Sequence, residues 1–146
     1  MSLHADLLHQ ARHLATREPR RPKEASLRRA VSAAYYALFH LLVNEASLRF
    51  VGGRRDRRNL RECLVRAFAH RDMKQASQGF AGGKLSPKLA PAIVGHAVQI
   101  PLAHVAETFV ELQQARHEAD YDTAKRFTRL ETLNLVNQAE QAFTDW

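Results

Sequence analysis

Two short segments of this 146-residue chain combine residue types capable of chemistry. The first runs Arg29-Ala-Val-Ser-Ala-Ala-Tyr35-Tyr36-Ala-Leu-Phe39-His40. On a helix the adjacent tyrosines point about 100° apart, so at most one reaches the centre of a core. Ser32, Tyr36 and His40 recur every fourth residue and form a polar stripe on one face. The stripe is either a buried histidine satisfied by a phenol, or the wall of a polar groove or helix–helix interface. The second segment is Arg116-His117-Glu118-Ala119-Asp120-Tyr121-Asp122. An arginine near a helix C-terminus is favoured by the dipole by about 0.3–1 kcal/mol without any further role. With Asp120 and Tyr121 within a turn, the guanidinium and a phenol could also hold a phosphate by forked donation. An Arg116–Asp120 ion pair uses the same i, i+4 spacing, which leaves the two open.

A third candidate is electrostatic. The chain carries 22 Lys and Arg, 17 of them arginine, against 15 Asp and Glu, for a net charge of +7. Residues 49–88 hold 11 basic and 3 acidic side chains, whereas residues 89–146 hold 4 and 8. Arg54, Arg55, Arg57 and Arg58 form the densest part of that basic segment. Such asymmetry suits a polyanion such as RNA, a charge-complementary contact between copies or with an acidic protein, or a solvated loop. If six of these cations met RNA phosphates, affinity would fall with salt at a log–log slope of about −4. Only Phe50, Phe68 and Phe80 interleave the charges, too few for a single-strand stacking platform.

Other chemistries find no support. His9 and His13 have metal-compatible spacing but no third ligand, so no metal site is expected. Gly79 to Gly83 lacks the Lys-Ser/Thr of a phosphate loop, and no cofactor signature is present. The single Cys63 forms no internal disulfide and falls on the apolar face of its helix, as small core packing. The longest apolar run, Ala33 to Val43, is broken by His40 and is far short of the roughly 18 residues of a membrane span. No secretory pattern opens the chain. A cytoplasmic protein with no membrane association is the expectation.

The elements that position these residues are helical throughout. Leu3, Leu7, Leu8, Ala11, Leu14 and Ala15 line a first helix ended by Pro19 and Pro22. A long second helix from about Ser26 to Phe50 carries Leu27, Ala30, Val31, Ala34, Tyr35, Leu38, Phe39 and Leu42, and Gly52-Gly53 stops it. Asp56 reads as the N-cap of a third helix with Leu60, Cys63, Leu64, Ala67 and Phe68 on one face. Residues 71–100, with four of the six glycines and two prolines, read as a long, mostly irregular connection. Pro101 suits the first turn of a fourth helix, packed through Leu102, Val105, Ala106, Phe109 and Leu112 to Arg116 or a little beyond. Thr128-x-x-Glu131 is a capping box for a last helix burying Leu130, Leu133, Val136, Ala139 and Phe143. The expected fold is one all-α domain over residues 1–146, an up-and-down bundle of four to five helices with one long loop.

Taken together, Ala-Ala-Tyr35-Tyr36-Ala-Leu-Phe39-His40 and Ala115-Arg116-His117-Glu118-Ala119-Asp120-Tyr121 resemble the HEPN superfamily, small helical domains named for nucleotide binding in higher eukaryotes and prokaryotes. The resemblance covers most of the chain and is closest to small stand-alone prokaryotic members. It implies a helical bundle, commonly a homodimer, and in many members a metal-independent ribonuclease acting as a toxin beside a minimal nucleotidyltransferase antitoxin. It also implies an arginine, a polar residue and, a few residues on, a histidine. Arg116 matches the arginine and His117 the polar position, while Tyr121, Asp122 and Thr123 stand where the histidine would fall. A free phenol titrates near about 10 and an imidazole near about 6.5, so a tyrosine there suits phosphate anchoring better than proton abstraction. The resemblance therefore implies a nucleotide- or RNA-associated component of a toxin–antitoxin-type pair with a degenerate ribonuclease motif. In it Arg116, Asp120 and Tyr121 contact phosphate, and Tyr36 and His40 line the same groove. The alternatives are an active endoribonuclease using Arg116 with His117 or His40, and a non-catalytic protein-interaction module.

Overall fold

The computed structural model describes residues 2–82, 87, 90–93 and 98–146. Among them are six α-helices and no strand: α1 (Leu3–Thr16), α2 (Glu24–Val51), α3 (Arg58–Ala67), α4 (His70–Gly82), α5 (Ile100–Tyr121) and α6 (Arg129–Asp145). The all-α bundle is as expected, with one helix more.

The axis of the bundle is α2. Nothing between Lys23 and Val51 is glycine or proline, and alanines at 30, 33, 34 and 37 let neighbouring helices approach closely. From Ser26 to Val43 it is buried on nearly every side, which is why its apolar residues are not confined to one stripe. Helices α1, α5 and α6 pack around it, α3 touches its C-terminal end, and α4 lies on α5. Gly52 ends the helix at φ 84°, and its N–H closes on the Leu48 carbonyl at 2.8 Å. The core joins Tyr35, Leu38, Phe109, Leu112, Val105 and Val136, and a smaller cluster joins Leu27, Val31, Ala115, Ala119 and Phe127.

Pro101 sits in the first turn of α5, and the helix continues to Tyr121, so the whole Arg116–Tyr121 segment is helical. At α6, the Thr128 Oγ1 accepts from the Glu131 N–H at 3.1 Å, half of the capping box. The Glu131 carboxylate instead pairs with Lys125 Nζ at 2.8 Å, an ionic contact that displaces the reciprocal bond.

Four expectations are corrected. Residues 70–82, the start of the supposed irregular connection, are the helix α4; Gly79 and Gly82 are tolerated because no proline intervenes and because the helix packs on α5, with Met73 against the core. Gly83 and Gly95 of that connection lie outside the described residues. Asp56 is no N-cap: it sits in a 3-10 turn, Arg55–Arg57, pairs with Arg54 at 3.3 Å, and α3 begins at Arg58. The third helix buries no residue, so Cys63 is exposed rather than packed in a core. Finally, Leu3, Leu102 and Leu130 are exposed: each lies in the first turn of its helix with its side chain turned to solvent. In α6 the buried face is Thr132, Val136, Ala139 and Ala142, with Leu133 and Phe143 half-buried.

Candidate functional site

The two chemistry-bearing segments meet. Arg116, on the last turns of α5, places its guanidinium carbon 5.3 Å from the Tyr35 ring centroid and 5.9 Å from that of Tyr36. Cations over aromatic faces are held by the ring quadrupole, most effectively where water is scarce, and this side chain is only 15% exposed. Its Nη1 also pairs with Asp120 Oδ2 at 3.3 Å, and Asp120 Oδ1 accepts from Ser32 Oγ at 2.6 Å. The i, i+4 spacing left open by the sequence is thus an ion pair, tied across to α2. Burial works against the charged guanidinium, but Tyr36, Asp120 and Tyr35 outweigh it and hold the group above its ordinary range. The Nε of Arg116 is buried without an acceptor.

The tyrosines divide as the 100° rotation requires. Tyr35 is fully buried, and desolvation pushes its phenol up against the opposing pull of Arg116. Tyr36 is half-buried and lines a groove of about 870 Å³. Leu7, Gln10 and Leu14 of α1 face it across Arg28, Arg29 and Ser32 of α2, with Asp120 and Tyr121 closing its end. His40 is not among the residues lining that groove; it leans on Phe39, 5.3 Å between ring centroids, and burial, with His4 adding, lowers its pKa. Tyr121 is 68% exposed, and its ring neighbour is His117 at 5.1 Å rather than Arg116. His117 and Arg116 share a second, smaller cleft with Lys74 of α4.

One residue that the sequence did not single out completes the cluster. His70, the first residue of α4, shares a hydrogen bond of 2.5 Å between its Nδ1 and the Tyr35 hydroxyl, and stacks on Phe39 at 4.1 Å. Its backbone carbonyl accepts from Gln113 Nε2 at 3.1 Å. Burial lowers its pKa, and Arg116 and His40 lower it further. The only local signal for this role would have been the helix that His70 begins, and glycines hid that helix.

The sign of the consequence is definite. The folded protein holds His70 neutral below the ordinary range near about 6.5, whereas the unfolded chain takes up the proton there. Its contribution to stability is therefore complete above about pH 6.5 and is lost as pH falls through the lowered folded value. A cation at a helix N-terminus adds to the penalty. Thermal melts at pH 7, 6 and 5 should show stability falling towards acid, with a shallower fall in His70→Gln; equal slopes would exclude His70 as a contributor.

The arginine-rich segment is a separate place. At 1.5 Å per residue, Val51 lies about 22 Å along α2 from Tyr36, so the following loop cannot share the Arg116 cluster. Arg54 and Arg58 are exposed and paired with Asp56 and Glu62, while Arg57 donates to the Val51 carbonyl at 3.0 Å and Arg61 to that of Gly52 at 2.6 Å. Two of the arginines near the end of α2 are therefore occupied in tying down its last turn; Arg55 is exposed.

Among the described residues there is no group of three His, Cys, Asp or Glu side chains arranged to hold a metal ion, and no helix long and apolar enough to cross a membrane. What fold and site define together is a class: an all-α bundle with a cation–aromatic cluster beside an open groove. No protein-family model, curated protein or solved structure matches the chain.

Proposed function

We propose that this chain is a HEPN-like protein that binds nucleotides or RNA, acting as a homodimeric component of a toxin–antitoxin-type pair beside a nucleotidyltransferase-type partner. Its ribonuclease motif is degenerate, with Tyr121 where a histidine would stand. The observation that carries this reading is the meeting of the two resembling segments: Arg116 lies over Tyr35 and Tyr36, with Asp120 bonded to Ser32. Those residues are far apart in the chain and meet where α2 packs on α5. A buried guanidinium with an unused N–H beside a groove is chemistry suited to a phosphate.

Fluorescence anisotropy with short RNAs and mononucleotides tests it over a range of salt. Binding should weaken as salt rises, and Arg116→Ala should weaken it about tenfold or more, the loss expected for a charge-assisted hydrogen bond. Absence of salt-dependent binding, or full binding by Arg116→Ala, would sink the proposal.

One observation favours the second reading, an active endoribonuclease. His70 supplies, from α4, an imidazole held neutral at pH 7 and bonded to Tyr35 beneath Arg116. Cleavage of a mixed RNA pool that is abolished by His70→Gln, with RNA binding retained, would establish it in preference to the degenerate site.

A further inference from the structure

The cleft between α4 and α5 is lined by Lys74, Gln113, Gln114, Arg116 and His117 and encloses about 220 Å³. That is room for one tetrahedral oxyanion and a few waters of about 30 Å³ each. Every side chain on its wall is neutral or basic. Two carboxylates are tied to that wall from outside it: Glu118, which accepts from Gln114 Nε2 at 3.0 Å, and Asp120, whose Oδ2 pairs with Arg116 Nη1 at 3.3 Å and leaves Nη2 and Nε without a protein partner among the described residues. Lys74 makes no ion pair among the described residues. It stands one turn after His70 on α4, opposite Arg116 on α5.

Gln113 narrows the chemistry. Its Nε2 donates to the His70 carbonyl at 3.1 Å, and a carbonyl oxygen can only accept, so the orientation of the amide is determined. The other arm, Oε1, is buried without a donor, on a residue only 9% exposed. Arg116 Nε is the complementary orphan, a buried donor without an acceptor. A ligand that satisfied both would offer an acceptor, best an anionic oxygen, to the cations and a hydrogen-bond donor to Gln113. Phosphate that keeps a proton is such a group. Sulfate has the same shape and is fully deprotonated at neutral pH, and a phosphodiester within an RNA strand has no P–OH.

We propose that this cleft binds a protonated phosphate group, with Lys74 and Arg116 donating to its anionic oxygens and Gln113 Oε1 accepting from its P–OH. The proposal rests on the nucleotide reading above for its biological source, and specifies it: the cleft takes free phosphate or the terminal monoester of a nucleotide or RNA end, not an internal linkage. A monoester loses its last proton near about pH 6, so it should bind more tightly below that pH than above it.

The test is an amide NMR titration of the full chain with sodium phosphate and with sodium sulfate, at matched ionic strength and pH 6. Phosphate should shift amides of residues 70–74 and 113–117, sulfate should bind more weakly, and Lys74→Gln should weaken phosphate about tenfold. The folded state of Lys74→Gln is read from the same spectra. Absence of shifts at these residues, equal binding of sulfate, or unchanged affinity in Lys74→Gln would overturn the site. A mononucleotide and a pair of short RNAs, 5′-phosphorylated and 5′-hydroxyl, then distinguish the sources: competition with phosphate by the nucleotide or phosphorylated RNA assigns an ester, and its absence leaves free phosphate. RNA binding lost in Arg116→Ala without phosphate shifts would retain the nucleic-acid reading and remove this site; phosphate shifts without RNA binding would do the reverse.

Discussion

Arg28→Ala should lower stability by about 3 kcal/mol, a fall of about 10 °C in Tm for a chain of this size. Among the described residues no other side chain donates to so many backbone carbonyls. Its Nη1 donates to the carbonyls of Glu118 and Ala119 at 3.3 and 2.8 Å, and its Nη2 to those of Asp122, at 2.9 Å, and Lys125. The Glu118 carbonyl also accepts from the Asp122 N–H at 2.9 Å, whereas those of Ala119, Asp122 and Lys125, at the end of α5 and in the link to α6, lie past the last N–H that continues the helix. Its Nε meets Glu24 Oε1 at 3.1 Å, and the same oxygen accepts from the Phe127 N–H, while the guanidinium lies 5.6 Å from the Phe127 ring centroid. With 18% of the side chain exposed, alanine would leave several acceptors poorly solvated. Arg28→Lys should recover less than half of the loss, because an ammonium cannot reproduce the planar fork. Urea unfolding measures both, and a cost below about 1 kcal/mol for the alanine variant would show that water replaces the guanidinium freely.

The second large effect is expected at Phe109. It is fully buried, 5.6 Å from Tyr35 between ring centroids, and joins α2 to α5 beneath the Arg116 cluster. Phe109→Ala should cost about 3–5 kcal/mol through lost transfer energy and the cavity left behind. Because Tyr35 bridges to both Arg116 and His70, the vacancy should also loosen the site, and the RNA binding proposed above should be weaker in the variant even where it remains folded. Leu60→Ala provides the contrast. Leu60 sits on an apolar stripe of the same quality but is 59% exposed, so its loss should cost less than about 1 kcal/mol. Comparable destabilisation by the two substitutions would mean that α3 is covered in solution.

That contrast marks where sequence reasoning reaches its limit. The periodicity of Leu60, Cys63, Leu64 and Ala67 describes an amphipathic helix equally well whether or not a neighbour covers it, and none of the four is buried; what meets the core is Val65 and, just past the helix, Phe68, both only partly buried. In α2 the same kind of pattern did indicate burial, because an alanine-rich stretch without glycine or proline permits close approach on several sides. The division between Tyr35 and Tyr36, the helical start at Pro101 and the Thr128 cap follow from local geometry alone, and each is present. Helix α4 was hidden because Gly79 and Gly82 weaken local preference, which packing on α5 overrides.

The candidate site divides in the same way. Arg116, Asp120, Ser32 and Tyr36 were legible because their residue types and spacing stand out within single helices. His70, Lys74, Gln113 and Arg28 were not, since their partners lie tens of residues away: Tyr35 for His70, the carbonyls of Glu118 to Lys125 for Arg28. The sequence by itself determined an all-α fold, a long central helix and an uneven charge distribution, all properties of local periodicity and composition. Only the tertiary structure decided that Arg116 rests on two tyrosines, and that one buried acceptor, Gln113 Oε1, and one buried donor, Arg116 Nε, are left open beside Lys74. The physical reason is that a hydrogen bond or cation–aromatic contact depends on distances of a few ångströms between distant segments, and helical spacing constrains only the nearest four residues.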